Sequence, residues 1–126
     1  MTKHSTSPPL APKDALGAHG EGLAAEYLRG QGMVILHRNW RCDAGEIDLV
    51  ARDGDALVIC EVKTRRSLSH GTPLEAVGRR KMGKLRHLAL RYLTEQRIGP
   101  RIIRFDVVGV IQPWDGPPVV QHVRNV

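Results

Sequence analysis

Two apolar segments, residues 47–51 and 56–64, are separated by Arg52-Asp53-Gly54-Asp55, and each carries charge where a buried strand should carry none. The Asp-Gly step in the break is a hairpin signal, because glycine supplies the positive φ that tight connections between antiparallel strands require. Asp48 sits among Ile47, Leu49 and Val50, while Glu61 and Lys63 flank Val62 in a run that is otherwise apolar. Charges woven into strands of this kind cost several kcal/mol unless something compensates them. The fold must therefore bring these charges to one another or to a cation, or leave the hairpin at the surface.

The rest of the chain supplies the layers such a hairpin needs. Residues 1–13 hold Pro8, Pro9 and Pro12 with Ser and Thr and show no periodicity, which predicts a flexible arm before a single domain over 14–126. Leu16, Leu23, Ala24, Tyr27 and Leu28 recur at helical spacing, with stop signals at Gly30 and Gly32. Residues 33–41 read as a strand. After the hairpin, Thr72-Pro73-Leu74-Glu75 predicts a helix start, with Thr72 as cap, Pro73 in the first position and Glu75 closing a capping box. That helix is expected to run to about Gln96, bent near Gly78 or Gly83. Residues 101–111 give a fourth strand and 119–123 a weaker fifth. A helix between the third and fourth strands permits a parallel crossover, so the expectation is α/β, an αβββαβ core with a mixed central sheet flanked by helices.

Composition narrows the partners. The chain has 126 residues, enough for one core without staples, and 19 Lys and Arg against 13 Asp and Glu give a net charge of +6. That balance favours an anionic partner, nucleic acid or an acidic membrane surface. No stretch reaches the ~18 apolar residues of a membrane span. Cys42 and Cys60 show no paired spacing, and the first residues lack the apolar region of a signal peptide; a reduced, cytoplasmic chain is the expectation.

Alternation along strands puts Glu46 and Asp48 on one face, and Glu61 and Lys63 on one face. With the turn at Gly54, position 48 falls opposite 59–61. Magnesium takes hard oxygen ligands, usually one or two carboxylates, and keeps water and phosphate in its remaining positions. Asp48, Glu61 and the Val62 carbonyl form such a set for Mg²⁺ or Mn²⁺. Lys63 could then orient or deprotonate an attacking water, or stabilise charge on a phosphorane. The plain alternative is a surface hairpin with an ordinary cross-strand ion pair.

Other residues carry weaker signals. Glu21 could be a third acid that steers or binds metal, but taken alone it reads first as a solvent-facing glutamate favoured by the helix dipole. Arg80, Lys84, His87 and Arg91 fall within about 60° of helical arc, a stripe suited to a phosphate backbone or simply a solvated face. Lys81 falls instead in the apolar sector with Leu74, Val77, Leu85 and Leu88, so it must snorkel or reach a carboxylate cluster beneath the helix. The six histidines lack zinc spacing. Trp40 and Trp114 could stack on bases, with core or loop anchoring as the ordinary reading.

Several of these motifs, in this order, resemble the YraN-type family of uncharacterised bacterial proteins, UPF0102. They are Gly17-x-x-Gly20-Glu21-x-x-Ala24, Arg38-Asn39-Trp40-Arg41, Gly45-Glu46-Ile47-Asp48-Leu49, Glu61-Val62-Lys63-Thr64-Arg65, Gly71-x-Pro73, Lys81, Arg104-Phe105-Asp106 and His122-Val123-Arg124-Asn125. That family is similar to the restriction-endonuclease-like superfamily and, within it, to archaeal Holliday-junction resolvases. The resemblance implies a catalytic set of Asp48, Glu61 and Lys63, with Glu21 in the place of the resolvase helical glutamate. It also implies Mg²⁺-dependent phosphodiester hydrolysis in DNA rather than RNA, branched or damaged, by a possible homodimer. Arg65, Arg80, Lys81, Lys84 and Arg91 are the candidates for nucleic-acid contact. The competing expectations are a nucleic-acid-binding module without cleavage, and a protein-interaction domain meeting an acidic partner.

Overall fold

The expected order of helix, three strands, helix and strand is the order found in a computed structural model, which describes residues 12–69, 71–72 and 74–126. Helix α1 covers Pro12–Gly30, followed by strands β1 (Val34–Cys42), β2 (Gly45–Asp53) and β3 (Ala56–Arg65). A 3-10 turn at Leu74–Ala76 precedes helix α2 (Arg79–Gln96), and strands β4 (Ile102–Ile111) and β5 (Val119–Val123) complete the chain. The strands form one five-stranded sheet in sequence order. All neighbours are antiparallel except β3 and β4, which α2 joins as a parallel crossover. The expected arm, residues 1–13, meets the described chain only at its end, where α1 begins at Pro12. Expectations placed on residues 1–11, His70 and Pro73 fall outside the described residues.

Strand β3 is central and covered on both faces, which is why its sequence reads as a continuous apolar run rather than an alternation. Leu57 and Ile59 point into a core with Leu85, Leu88 and Tyr92 of α2. Val58, Cys60 and Val62 point into a second core with Ala24, Ala25 and Leu28 of α1. The β2–β3 turn is the two-residue kind: Asp53 pairs with Ala56, and Gly54 takes a φ of 59°.

The second helix differs from its expected span of 72–96. The Thr72 hydroxyl does accept the Glu75 N–H, at 3.3 Å, so the cap exists. It closes only the 3-10 turn, because Gly78 is extended (φ −85°, ψ −177°) and α2 starts afresh at Arg79 without a side-chain cap. The bend foreseen at Gly78 is thus a full break, and Gly83 passes within an unbroken helix. Helix α2 closes at Arg97 in the left-handed region (φ 55°), which returns its N–H to the Leu93 carbonyl.

Candidate metal-binding and nuclease site

The site forms where two strands part. Ladder pairing of β2 with β3 runs from Asp53↔Ala56 to Leu49↔Cys60, whereas β2 stays paired with β1 to Cys42↔Gly45. From Asp48 onward β2 follows β1 and leaves β3. Asn39, which the β1–β2 register sets opposite Asp48, has a left-handed backbone (φ 52°), a conformation that asparagine tolerates better than most residues. Alternation also fails here, since Ile47 and Val50 share the α2-side core while Leu49 joins the other. In the gap the Asp48 carboxylate takes the place of a strand: its Oδ2 accepts the Val62 N–H at 2.8 Å. N–H and C=O of one strand residue leave on the same side. The Val62 carbonyl therefore faces this gap as well.

Glu61 continues the Leu57, Ile59 row toward α2 and is only 4% exposed. A carboxylate this buried needs positive charge, and two ammonium groups supply it: Lys63 Nζ at 3.4 Å and Lys81 Nζ at 3.2 Å, both on Oε2. Lys81, one of the candidates for nucleic-acid contact, thus joins the carboxylate cluster, the second of the two outcomes its apolar-sector position allowed. Its place in the first turn of α2, with Arg79 and Arg80 and no acid, adds cations at the positive end of the helix dipole. Glu61 offsets that cost for Lys81.

Glu21 arrives from the other side of the sheet. A Cβ on Gly20 would lie 1.8 Å from Thr64 Oγ1, so only glycine lets α1 approach β3 this closely. The next residue, Glu21, is set beside the gap. Burial raises its pKa and repulsion from Glu46 and Glu61 adds to this, against a hydrogen bond from the Asn39 side chain and the charge of Arg38. Asn39 thus borders the gap beside both Asp48 and Glu21, a place that no charge pattern in the sequence marks.

Burial and then repulsion from Glu61 push the Asp48 carboxyl up to about 7, with Glu21 adding a smaller push and the Val62 N–H opposing. Between the ordinary value of 3.8 and about 7 an unfolded chain has released this proton while the folded chain keeps it, so folding loses stability as pH rises through that window. Chemical denaturation with a chelator present should show wild type weakening from mildly acidic to neutral pH, and Asp48→Asn should remove most of that slope. Equal slopes in the two proteins would mean that Asp48 ionises without strain.

Glu21, Val62 and Lys63 line an open cleft of about 600 Å³ together with Leu16, Arg65 and Arg66. Among the described residues no cluster of three or more His, Cys, Asp or Glu is arranged for a metal ion, so a cage built wholly of protein ligands is not on offer. Two carboxylates and a backbone carbonyl are what magnesium accepts when water and phosphate complete its shell. The donor chemistry fits Mg²⁺ or Mn²⁺. On the exposed face of α2, Arg80, Lys84 and His87 are open to solvent. Arg91, also exposed, is paired with Asp43. Three histidines have partners within the protein, His19 on Gln112 Oε1 at 2.9 Å, His37 on Tyr92 Oη at 2.6 Å and His122 on Asp106 at 2.7 Å. Trp40 is a core residue whose indole donates to Glu95 at 2.6 Å. No described helix is long and apolar enough to cross a membrane.

Comparison with known proteins agrees with the motif pattern. A model of the family described as "Uncharacterised protein family UPF0102" matches residues 20–110, which contain Glu21, Asp48, Glu61, Val62, Lys63 and Lys81. The chain is 57% identical to a UPF0102 protein of Nocardioides sp. over 97% of its own length and 98% of that protein. It is 54% identical to one of Kineococcus radiotolerans (90% and 94% covered) and 53% identical to one of Streptomyces griseus (90% and 97%).

Proposed function

We propose that this chain, which belongs to the uncharacterised protein family UPF0102, is a divalent-metal-dependent nuclease hydrolysing phosphodiester bonds, in DNA before RNA. The observation that carries the reading is the parting of β2 and β3, with the Asp48 carboxylate bound to the Val62 N–H in the gap and Glu61 held beside it by Lys63 and Lys81. A sheet that needed only stability would continue the ladder and fill both positions with apolar residues. Here a ladder pair is replaced by a strained acid.

Asp48, Glu61 and the Val62 carbonyl would hold the ion, which when bound supplies Lewis-acid polarisation of the phosphate and an activated water. Lys63, at the edge of the pair and lining the cleft, places a positive charge where charge develops on the phosphorus oxygens. Glu21, from α1, orients water on the opposite side of the gap. Lys81 keeps Glu61 in place. Arg65 and Arg66, at the end of β3, give the cleft a positive wall for the phosphate backbone. The resemblance to junction resolvases makes branched or damaged DNA the first substrates to try, with two copies of the chain serving two strands.

The test is a cleavage screen over duplex, single-stranded, flapped and four-way substrates with Mg²⁺ or Mn²⁺. Cutting that a chelator abolishes is the expected result. Binding without any cutting, unchanged in Asp48→Asn, would make the protein a binding module instead. A protein without salt-sensitive affinity for nucleic acid would belong to the protein-interaction class.

The α2 face makes a separate prediction. Each neutralised phosphate contributes about 0.9 to the salt slope of duplex binding. Replacing Arg80, Lys84 and Arg91 together with Ala should flatten the slope by about two units. Arg91 contributes least, because it must first leave Asp43. Titration at several salt concentrations measures this, and an unchanged slope would assign the α2 face to solvent or to protein contact.

A further inference from the structure

Beside the proposed nuclease cleft stands a tryptophan that the fold holds out into water. Trp114 is 83% exposed, yet its loop is pinned. Gln112 donates its N–H to the Arg65 carbonyl at 2.8 Å and its side-chain amide to the carbonyls of Pro113 at 3.1 Å and Gly116 at 3.2 Å. The Gln112 side-chain carbonyl meets His19 of α1 at 2.9 Å. The Arg66 guanidinium lies over one face of the indole, 3.7 Å from the ring centroid. With one face covered, exposure of this extent leaves the other face open.

Leu16, His19, Arg66, Gln112 and Trp114 line a hollow of about 510 Å³. This hollow shares Leu16 and Arg66 with the cleft that contains Glu21, Val62 and Lys63. Arg66 follows Lys63 by three residues, ~10 Å along an extended chain. A fixed, solvent-facing indole backed by a guanidinium and joined to a positively charged channel is suited to a flat heterocycle attached to a phosphodiester. A base paired inside a duplex buries both faces in the stack and cannot lie on it.

We infer that Trp114 and Arg66 form a stacking platform for an unpaired nucleobase, so that the cleft prefers nucleic acid with a single-stranded segment next to the phosphate it handles. The inference rests on the nuclease reading only for its account of the neighbouring cleft; base stacking itself needs no cleavage.

The test uses binding of the full-length protein without metal, to blunt duplex, duplex with a single-stranded tail, and single strand. Trp40 is buried and provides a constant emission background, so a change on binding reports Trp114. Tailed and single-stranded DNA should quench the emission saturably, while blunt duplex should not. W114A should lose roughly five- to a hundredfold in affinity for tailed and single-stranded DNA, the effect of one base stack, and less than about twofold for blunt duplex. W114F should regain most of the loss, because the ring remains. Equal loss on all three ligands, or no loss on any, would overturn the platform. A protein that cuts nothing but shows the quenching and the selective W114A loss keeps the platform and loses the nuclease reading. Cleavage of tailed DNA by W114A with wild-type affinity removes the platform alone.

Discussion

Lys63→Met should lower the cleavage rate by at least about a hundredfold while leaving nucleic-acid affinity within a small factor. Preorganised charge stabilisation of a transition state is typically worth ~3 kcal/mol, whereas one contact among many phosphates contributes little to binding. Methionine keeps the length and apolar stem of lysine. The substitution is also tolerable to the fold, since Lys81 remains 3.2 Å from Glu61 and the buried carboxylate keeps one cation. Asp48→Asn should differ in kind. An asparagine carbonyl can still accept the Val62 N–H, so the strand gap survives, but the variant loses both activity and Mg²⁺ affinity. It should also bind nucleic acid as tightly as wild type or more so, because one repulsive charge is gone. Single-turnover cleavage, magnesium titration and affinity, each measured on both variants, separate the two roles. If Lys63→Met cuts at the wild-type rate, Lys63 is only a partner of Glu61.

The sequence and the structure agree where a single rule governs a residue. The Gly54 turn, the continuous apolar run of β3 and the helix between β3 and β4 are each dictated by local chemistry, and they suffice for the order of elements and the mixed sheet. Strict alternation also put Asp48 near Glu61, although the physical route is different. The two acids meet because β2 leaves β3 at that point and Asp48 binds across the gap, a distortion that periodicity cannot express. Glu21 is carried beside the gap by Gly20, whose missing side chain admits Thr64; a glycine inside a helix reads in sequence only as a weak point. Lys81 was legible as an anomaly, an amine in an apolar sector, and Glu61 is its reason. The long second helix was misread because a correct cap at Thr72 does not determine how far the helix continues, and Gly78 ends the first turn.

The cluster that sequence reasoning passed over makes the largest stability prediction. Asp106 was visible only as part of a motif, yet it is 0% exposed and accepts four hydrogen bonds. Arg104 donates twice, Nε at 2.9 Å and Nη2 at 3.0 Å, and the Asn125 N–H donates at 3.1 Å. His122 Nε2 lies at 2.7 Å. Arg104 also holds Asp53 at 2.9 Å. One carboxylate thereby ties β4, β5, the C-terminal residues and the β2–β3 turn together. Burial pushes the Asp106 carboxyl up, but Arg104, His122 and the Asn125 N–H outweigh it and hold the pKa below the ordinary 3.8. Its stabilisation is therefore present above that value and lost as pH falls through the lowered one.

Asp106→Ala strands the buried His122 imidazole and leaves Arg104 with Asp53 alone, a loss of about 3 kcal/mol, or roughly 10 °C in Tm for a domain of this size. Asp106→Asn restores only part of this, because its NH₂ faces donors. The loss relative to wild type should shrink toward acid pH, the reverse of the trend expected for Asp48→Asn. Because Asp106 flanks β3 on its β4 side, opposite the β2 side where Asp48 binds Val62, either Asp106 variant that still folds should keep its Mg²⁺ affinity. Thermal unfolding of both variants at neutral and acid pH decides the matter, and a destabilisation under about 1 kcal/mol would show that neighbouring water replaces the carboxylate.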